Sequence, residues 1–143
     1  MSSNERRYRM KITASAISLT VADPEASARF LEQAFGFERD MAADGFVSLT
    51  RPDVGFNVVY LRAGLPTFKP RERAAHTAAG ILVVLVVDDV DGEYERLTAA
   101  GVSIITPIET EEWGERYFQI EDPNGVIVQL VQWVAAPPET VAP

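Results

Sequence analysis

The strongest constraint on this chain is that it repeats itself. Ala16-Ile17-Ser18-Leu19-Thr20-Val21-Ala22-Asp23 aligns with Leu82-Val83-Val84-Leu85-Val86-Val87-Asp88-Asp89, each an apolar strand that ends in aspartate. A helical stretch follows each, Pro24 to Phe35 and Val90 to Ala100, and each closes on glycine, Gly36 and Gly101. Asp23 and Asp89 are suited to cap a helix, because a short carboxylate accepts from the unpaired amides of the first turn. Pro24 takes the first helical position, where its missing N–H costs nothing. Ala28, Leu31 and Phe35 share one helix face, as do Val90, Tyr94 and Leu97. Glycine after the last turn takes the left-handed conformation that stops a helix.

The second half of each unit repeats as well. Phe46 to Tyr60 holds two strands around Arg51-Pro52-Asp53-Val54-Gly55, and Tyr117 to Gln132 holds two around Asp122-Pro123-Asn124-Gly125. Proline and glycine at these points favour turns between antiparallel strands. One short strand fits between helix and hairpin, around Phe37–Met41 in the first unit and ending at Ile105 in the second. The reading is therefore α+β: two tandem βαβββ modules, residues 11–63 and 80–136, in one domain spanning 11–136. Residues 64–79 read as an exposed linker rich in Pro, Arg and Lys, and 1–10 and 137–143 as flexible tails.

The run from Trp113 to Leu130, with Asp122-Pro123-Asn124-Gly125 at its turn, resembles the C-terminal signature of the vicinal-oxygen-chelate superfamily, which includes glyoxalases, bleomycin-resistance proteins and dioxygenases. Ser18 to Phe37 resembles that family's opening strand and helix. The resemblance implies cupped mixed sheets around a cavity, with helices on the convex side and modules paired within one chain or across a dimer. Metal-dependent members carry His, Glu or Gln on the first and last strands of each module. The corresponding positions here are Ala16, Val59, Leu82 and Gln129. Three offer no lone pair, whereas a divalent catalytic ion needs about three donors. A one-residue slip does not restore the set, because neither Ala14–Ser18 nor Gly80–Val84 contains His, Asp or Glu. No metal and no cofactor are expected, and the metal-free branch of the family is the nearer likeness.

Alternation along the strands assigns the faces once Gln129 is set toward the cavity. Ala16, Ser18, Thr20, Leu82, Val84 and Val86 then face it, with Phe46, Ser48, Asn57, Val59, Tyr117 and Gln119. Ile17, Leu19, Val21, Val83, Leu85, Val87, Val128 and Leu130 pack beneath the helices. The expected ligand-binding set is Ser18, Thr20, Phe46, Ser48, Asn57, Trp113, Tyr117, Gln119 and Gln129. Such a lining suits a bulky aromatic ligand held by stacking and a few hydrogen bonds. It holds no acid–base pair, although Glu115 and Glu121 on or beside the seventh strand are candidate bases. Arg116 reads as a structural ion-pair partner, and His76 as a solvated linker residue.

Composition narrows the function classes. The chain has 143 residues, no cysteine, one histidine and a net charge of -8. Thiolate chemistry and disulfides are excluded. An acidic chain is a poor partner for nucleic acid and suits a cationic ligand. No apolar run reaches the ~18 residues of a membrane span, and the first ten residues lack a signal-type apolar segment. The expectation is a cytoplasmic, homodimeric small-molecule binding protein of bleomycin-resistance type that sequesters an aromatic or cationic compound. A lyase or isomerase acting without the usual metal site is the alternative.

Overall fold

Two aspartates place the helices. In the computed structural model, which describes residues 12–77 and 79–135, the Asp23 carboxylate accepts from Ala26 N (3.3 Å) and Asp89 from Gly92 N (3.1 Å). Helix α1 then runs Pro24–Phe35 and α2 runs Val90–Ala99. Gly36, at φ 68°, ends α1 in the left-handed conformation, and its N–H donates back to Glu32 O.

The chain divides into two compact units, residues 1–76 and 77–143. In the first, β1 (Ala16–Val21), β2 (Glu38–Ala43), β3 (Phe46–Thr50) and β4 (Asn57–Arg62) form one sheet in the order β1-β4-β3-β2. In the second, β5 (Leu82–Val86), β6 (Ser103–Thr110), β7 (Glu115–Glu121) and β8 (Ile127–Trp133) form another in the order β5-β8-β7-β6. β1 runs parallel to β4 and β5 parallel to β8, and the other pairs are antiparallel. Each unit is therefore βαβββ, as the repeat requires.

One face of each sheet is covered by its helix. Ala28, Leu31 and Phe35 of α1 are buried, and α1 packs on β3 and β4, where Val47, Leu49, Val58 and Tyr60 are buried. In the second unit Val90 and Leu97 of α2 are buried with Phe118, Ile120, Val128 and Leu130, and the Tyr94 ring meets Phe118 edge-on at 4.9 Å. Each buried Val, Leu, Ile or Phe among them contributes about 1.5–3 kcal/mol on leaving water. Arg116 sits on this side of β7 and pairs with Asp91 of α2 at 2.7 Å, the structural role expected of it. Gln132 Oε1 accepts from Val90 N and adds a second acceptor at the start of α2.

The aliphatic set expected beneath the helices is buried unevenly. Leu19, Val21, Val128 and Leu130 are fully enclosed, but Ile17 is 36% exposed, and Leu85 and Val87 are only half-buried. β1 and β5 are outer strands, while the helices rest on β3 and β4 and on β6, β7 and β8.

Two more expectations need adjustment. β6 does not stop near Ile105; it continues to Thr110 through two register shifts, at Ile104/Thr106 and Thr106/Glu109. The segment after β4 is not wholly exposed either. It holds a 3-10 turn at Arg71–Arg73, the Arg71 guanidinium donates to Leu65 O, and Ala74 is buried. His76 is exposed, and the expected tails lie outside the described residues.

Candidate functional site

The face of each sheet turned away from its helix carries the candidate residues. In the second unit the register lines up Val84, Gln129, Gln119 and Thr106 across four strands. Neighbouring rows add Leu82, Ile127 and Glu121 on one side and Val86, Val131, Tyr117 and Glu109 on the other. The outer strand leaves Leu82, Val84 and Val86 at 49%, 48% and 67% exposure. This face is therefore an open aliphatic surface with a polar band across it.

The polar band is a hydrogen-bonded chain. Thr106 Oγ1 donates to Gln119 Oε1 at 2.7 Å, and Gln119 Nε2 donates to Gln129 Oε1 at 2.8 Å. One row away, the Tyr117 hydroxyl lies 2.8 Å from Glu111 Oε1 and 2.9 Å from Glu109 Oε1. A phenol has one proton, so it donates to one carboxylate at a time. Hydrogen bonding to Glu111, and then to Glu109, pushes the Tyr117 hydroxyl well above its ordinary pKa. The result is an aromatic ring with a doubly anionic rim. Trp113 stands in the turn before β7, half exposed at 52%. That turn is held by Gly114 N donating to Glu111 O at 2.9 Å and by Glu111 N donating to Glu115 O at 2.8 Å.

In the first unit the corresponding face aligns Ser18, Val59, Ser48 and Met41, with Thr20, Leu61, Phe46 and Ala43 in the next row. Ser18 is exposed, Thr20 and Phe46 are half-buried, and Ser48 is 3% exposed and offers little surface to a ligand. Asn57 lies opposite Ala16, and its amide donates to Asp40 Oδ2 at 3.0 Å. Ser18 and Ser48 are thus brought into one row, and Gln119 and Gln129 into direct contact.

Thr106, Glu109, Glu111 and Asp40 were missed in the sequence. Three of them belong to the β6 edge and the turn after it, where the register shifts place Thr106 and Glu109 on one face although they are three positions apart in the chain. Strict alternation would have put them on opposite faces.

The four positions at which the family resemblance implies metal ligands do not form a donor set here. Ala16, Val59 and Leu82 have no donor atom, and the Gln129 carbonyl is engaged by Gln119. Among the described residues no three His, Asp or Glu side chains are grouped to hold an ion. No helix among them is long and apolar enough to cross a membrane.

Known proteins share this architecture. A glyoxalase/bleomycin resistance protein/dioxygenase from Nocardioides superposes with a TM-score of 0.73 at 22% identity, covering 98% of this chain and 100% of that one. TioX from Micromonospora superposes at 0.66 with 26% identity, covering 85% and 99%. A lactoylglutathione lyase from Agrobacterium tumefaciens also reaches 0.66, at 17% identity over 86% and 96%. In sequence, an uncharacterized Mycobacterium bovis protein is 38% identical over 45 residues, which span 32% of this chain and 30% of that protein. The sequence model of the Glyoxalase/Bleomycin resistance protein/Dioxygenase superfamily matches residues 13–130, nearly the whole described chain, and the chain belongs to that superfamily.

Proposed function

We propose that this chain is a metal-free small-molecule binding protein of bleomycin-resistance type, which sequesters a bulky aromatic or cationic compound in the cytoplasm as a homodimer. The observation that carries the reading is the exchange of metal donors for apolar and neutral groups. Ala16, Val59 and Leu82 stand at the ligand positions, and Gln129 is tied into a neutral chain with Gln119 and Thr106. What remains is aliphatic surface for a ligand's body, a few hydrogen-bonding groups to orient it, and rings for stacking at Tyr117 and Trp113. The paired carboxylates beside Tyr117 favour positive charge on the ligand. The net charge of -8 raises the local concentration of cations further.

The test is a fluorescence titration, since Trp113 and Trp133 are the chain's two tryptophans. A panel of flat aromatic compounds, half of them cationic, is expected to contain members that quench saturably at one site per chain. Flat responses across the whole panel would remove the support for this reading.

A second reading rests on Glu115 and Glu121, which share the open face of β7 with Tyr117 and Gln119 and are half-buried. A carboxylate there is placed to take a proton, as a lyase or isomerase acting without the usual metal requires. Turnover of hemithioacetals in the presence of EDTA, lost in Glu115→Gln or Glu121→Gln, would favour it over sequestration.

A further inference from the structure

The chain Thr106–Gln119–Gln129 has a direction. Thr106 donates, Gln119 accepts at its oxygen and donates from its nitrogen, and Gln129 accepts at its oxygen. The free end is therefore the Gln129 Nε2 amide, whose two N–H groups have no partner among the described residues. Around it lie Val84 directly across the ladder, Leu82 and Val86 on the same outer strand, and Ile127 and Val131 along β8. A donor at the end of a polarised hydrogen-bond chain is strengthened by the bonds behind it, and a ligand body laid on the surrounding aliphatic side chains would exclude water from it. Gln129 is half-buried, so the amide can still be reached.

We propose that Gln129 Nε2 is the specificity-determining donor of this face, and that it selects an apolar organic ligand bearing a carbonyl-type oxygen. The assignment rests on the small-molecule binding reading and deepens it by naming the group recognised. The ligand's hydrocarbon body lies on Leu82, Val84 and Val86, and its oxygen accepts from Gln129. Gln119 and Thr106 act as positioning residues: they fix the rotamer and orientation of the Gln129 amide and do not touch the ligand. Against a shape-matched hydrocarbon, the carbonyl is favoured because the hydrocarbon leaves the amide desolvated and unpaired.

The test uses the full chain with 2-acetylnaphthalene and its shape-matched hydrocarbon 2-isopropylnaphthalene. Binding is read by fluorescence, and the Gln129 side-chain NH2 signals by 15N NMR. The wild type is expected to bind the ketone about three- to tenfold more tightly, the range of one added hydrogen bond, and to shift the Gln129 amide signals with the ketone alone. Gln129→Leu should abolish the preference while still binding both compounds, and Gln129→Glu, an isostere with no amide donor, should abolish it too. Thr106→Val should reduce the preference without abolishing it, a graded effect that loss of fold would not give. Equal binding of both compounds with unmoved Gln129 signals would overturn the assignment and leave the binding reading standing. Saturation by neither compound would overturn the assignment, and the binding reading then stands or falls with the panel titration.

Discussion

The start of α2 offers a test in which local propensity and tertiary geometry predict different outcomes. Gly92 lies in the first turn of the helix, where replacing glycine by alanine ordinarily stabilises by about 0.5–1 kcal/mol. Here an added Cβ would run into the Asp89 carboxylate, meeting Oδ2 closest and Cγ at 2.9 Å. That carboxylate is the helix cap, accepting from Gly92 N at 3.1 Å. Making room means rotating the cap away, at a cost of about 1 kcal/mol. Gly92→Ala in the wild type should therefore be neutral or destabilising by up to about 0.5 kcal/mol. In an Asp89→Ala background no cap remains to lose, and the same change should stabilise by about 0.5–1 kcal/mol. The coupling between the two sites is then about 1 kcal/mol. Gln132 Oε1 still holds Val90 N in every variant, so the helix stays anchored. Urea unfolding followed by circular dichroism reads the difference as a midpoint shift of about 0.5 M, for a slope of about 2 kcal/mol/M. Equal effects of Gly92→Ala in both backgrounds would show that the added Cβ does not displace the Asp89 cap.

Other expectations follow from the packing and the charges. Phe118 is fully buried against Tyr94, so Phe118→Ala should cost about 3–5 kcal/mol in urea unfolding. Tyr117 should ionise above the ordinary tyrosine range by absorbance at 295 nm, and Glu109→Gln with Glu111→Gln should bring it back toward that range. A raised folded-state pKa means that this group's stabilisation is complete below about pH 10 and is lost as pH rises through the folded value. The carboxyls of Asp91, Glu25 and Asp44 are lowered, each chiefly by hydrogen bonding to an arginine: Arg116, Arg39 and Arg62. Their contribution is present at neutral pH and disappears as pH falls below about 4, and thermal unfolding should show a salt-sensitive loss there that is smaller in Arg116→Gln.

Much of the fold was legible because the repeat, the caps and the alternation are local signals that agree with one another. Asp23, Pro24 and Gly36 bound α1 without reference to anything distant, and the two Pro-containing turns locate both hairpins. The face assignment around Gln129 was legible for the same reason, since β7 and β8 pair without a register shift from Glu115 to Glu121. The acidic rim was not legible. Glu109 and Glu111 reach Tyr117 only because β6 continues past Ile105 through two irregular steps, and no residue pattern in Ser103–Thr110 announces where a bulge falls. The exposure of Ile17 was equally hidden, because which strand lies at the edge is set by the parallel pairing of β1 with β4, a contact between residues far apart in the chain.

Ligand binding without a metal is what sets the proposed function apart from metal-dependent chemistry on the same fold. The most direct measurement takes a compound that saturates the tryptophan quench and repeats the titration after exhaustive dialysis against EDTA, and again with added Ni, Zn or Mn. An unchanged Kd in all three conditions is the predicted result. Loss of binding on chelation, restored by one divalent ion at one equivalent per chain, would contradict it.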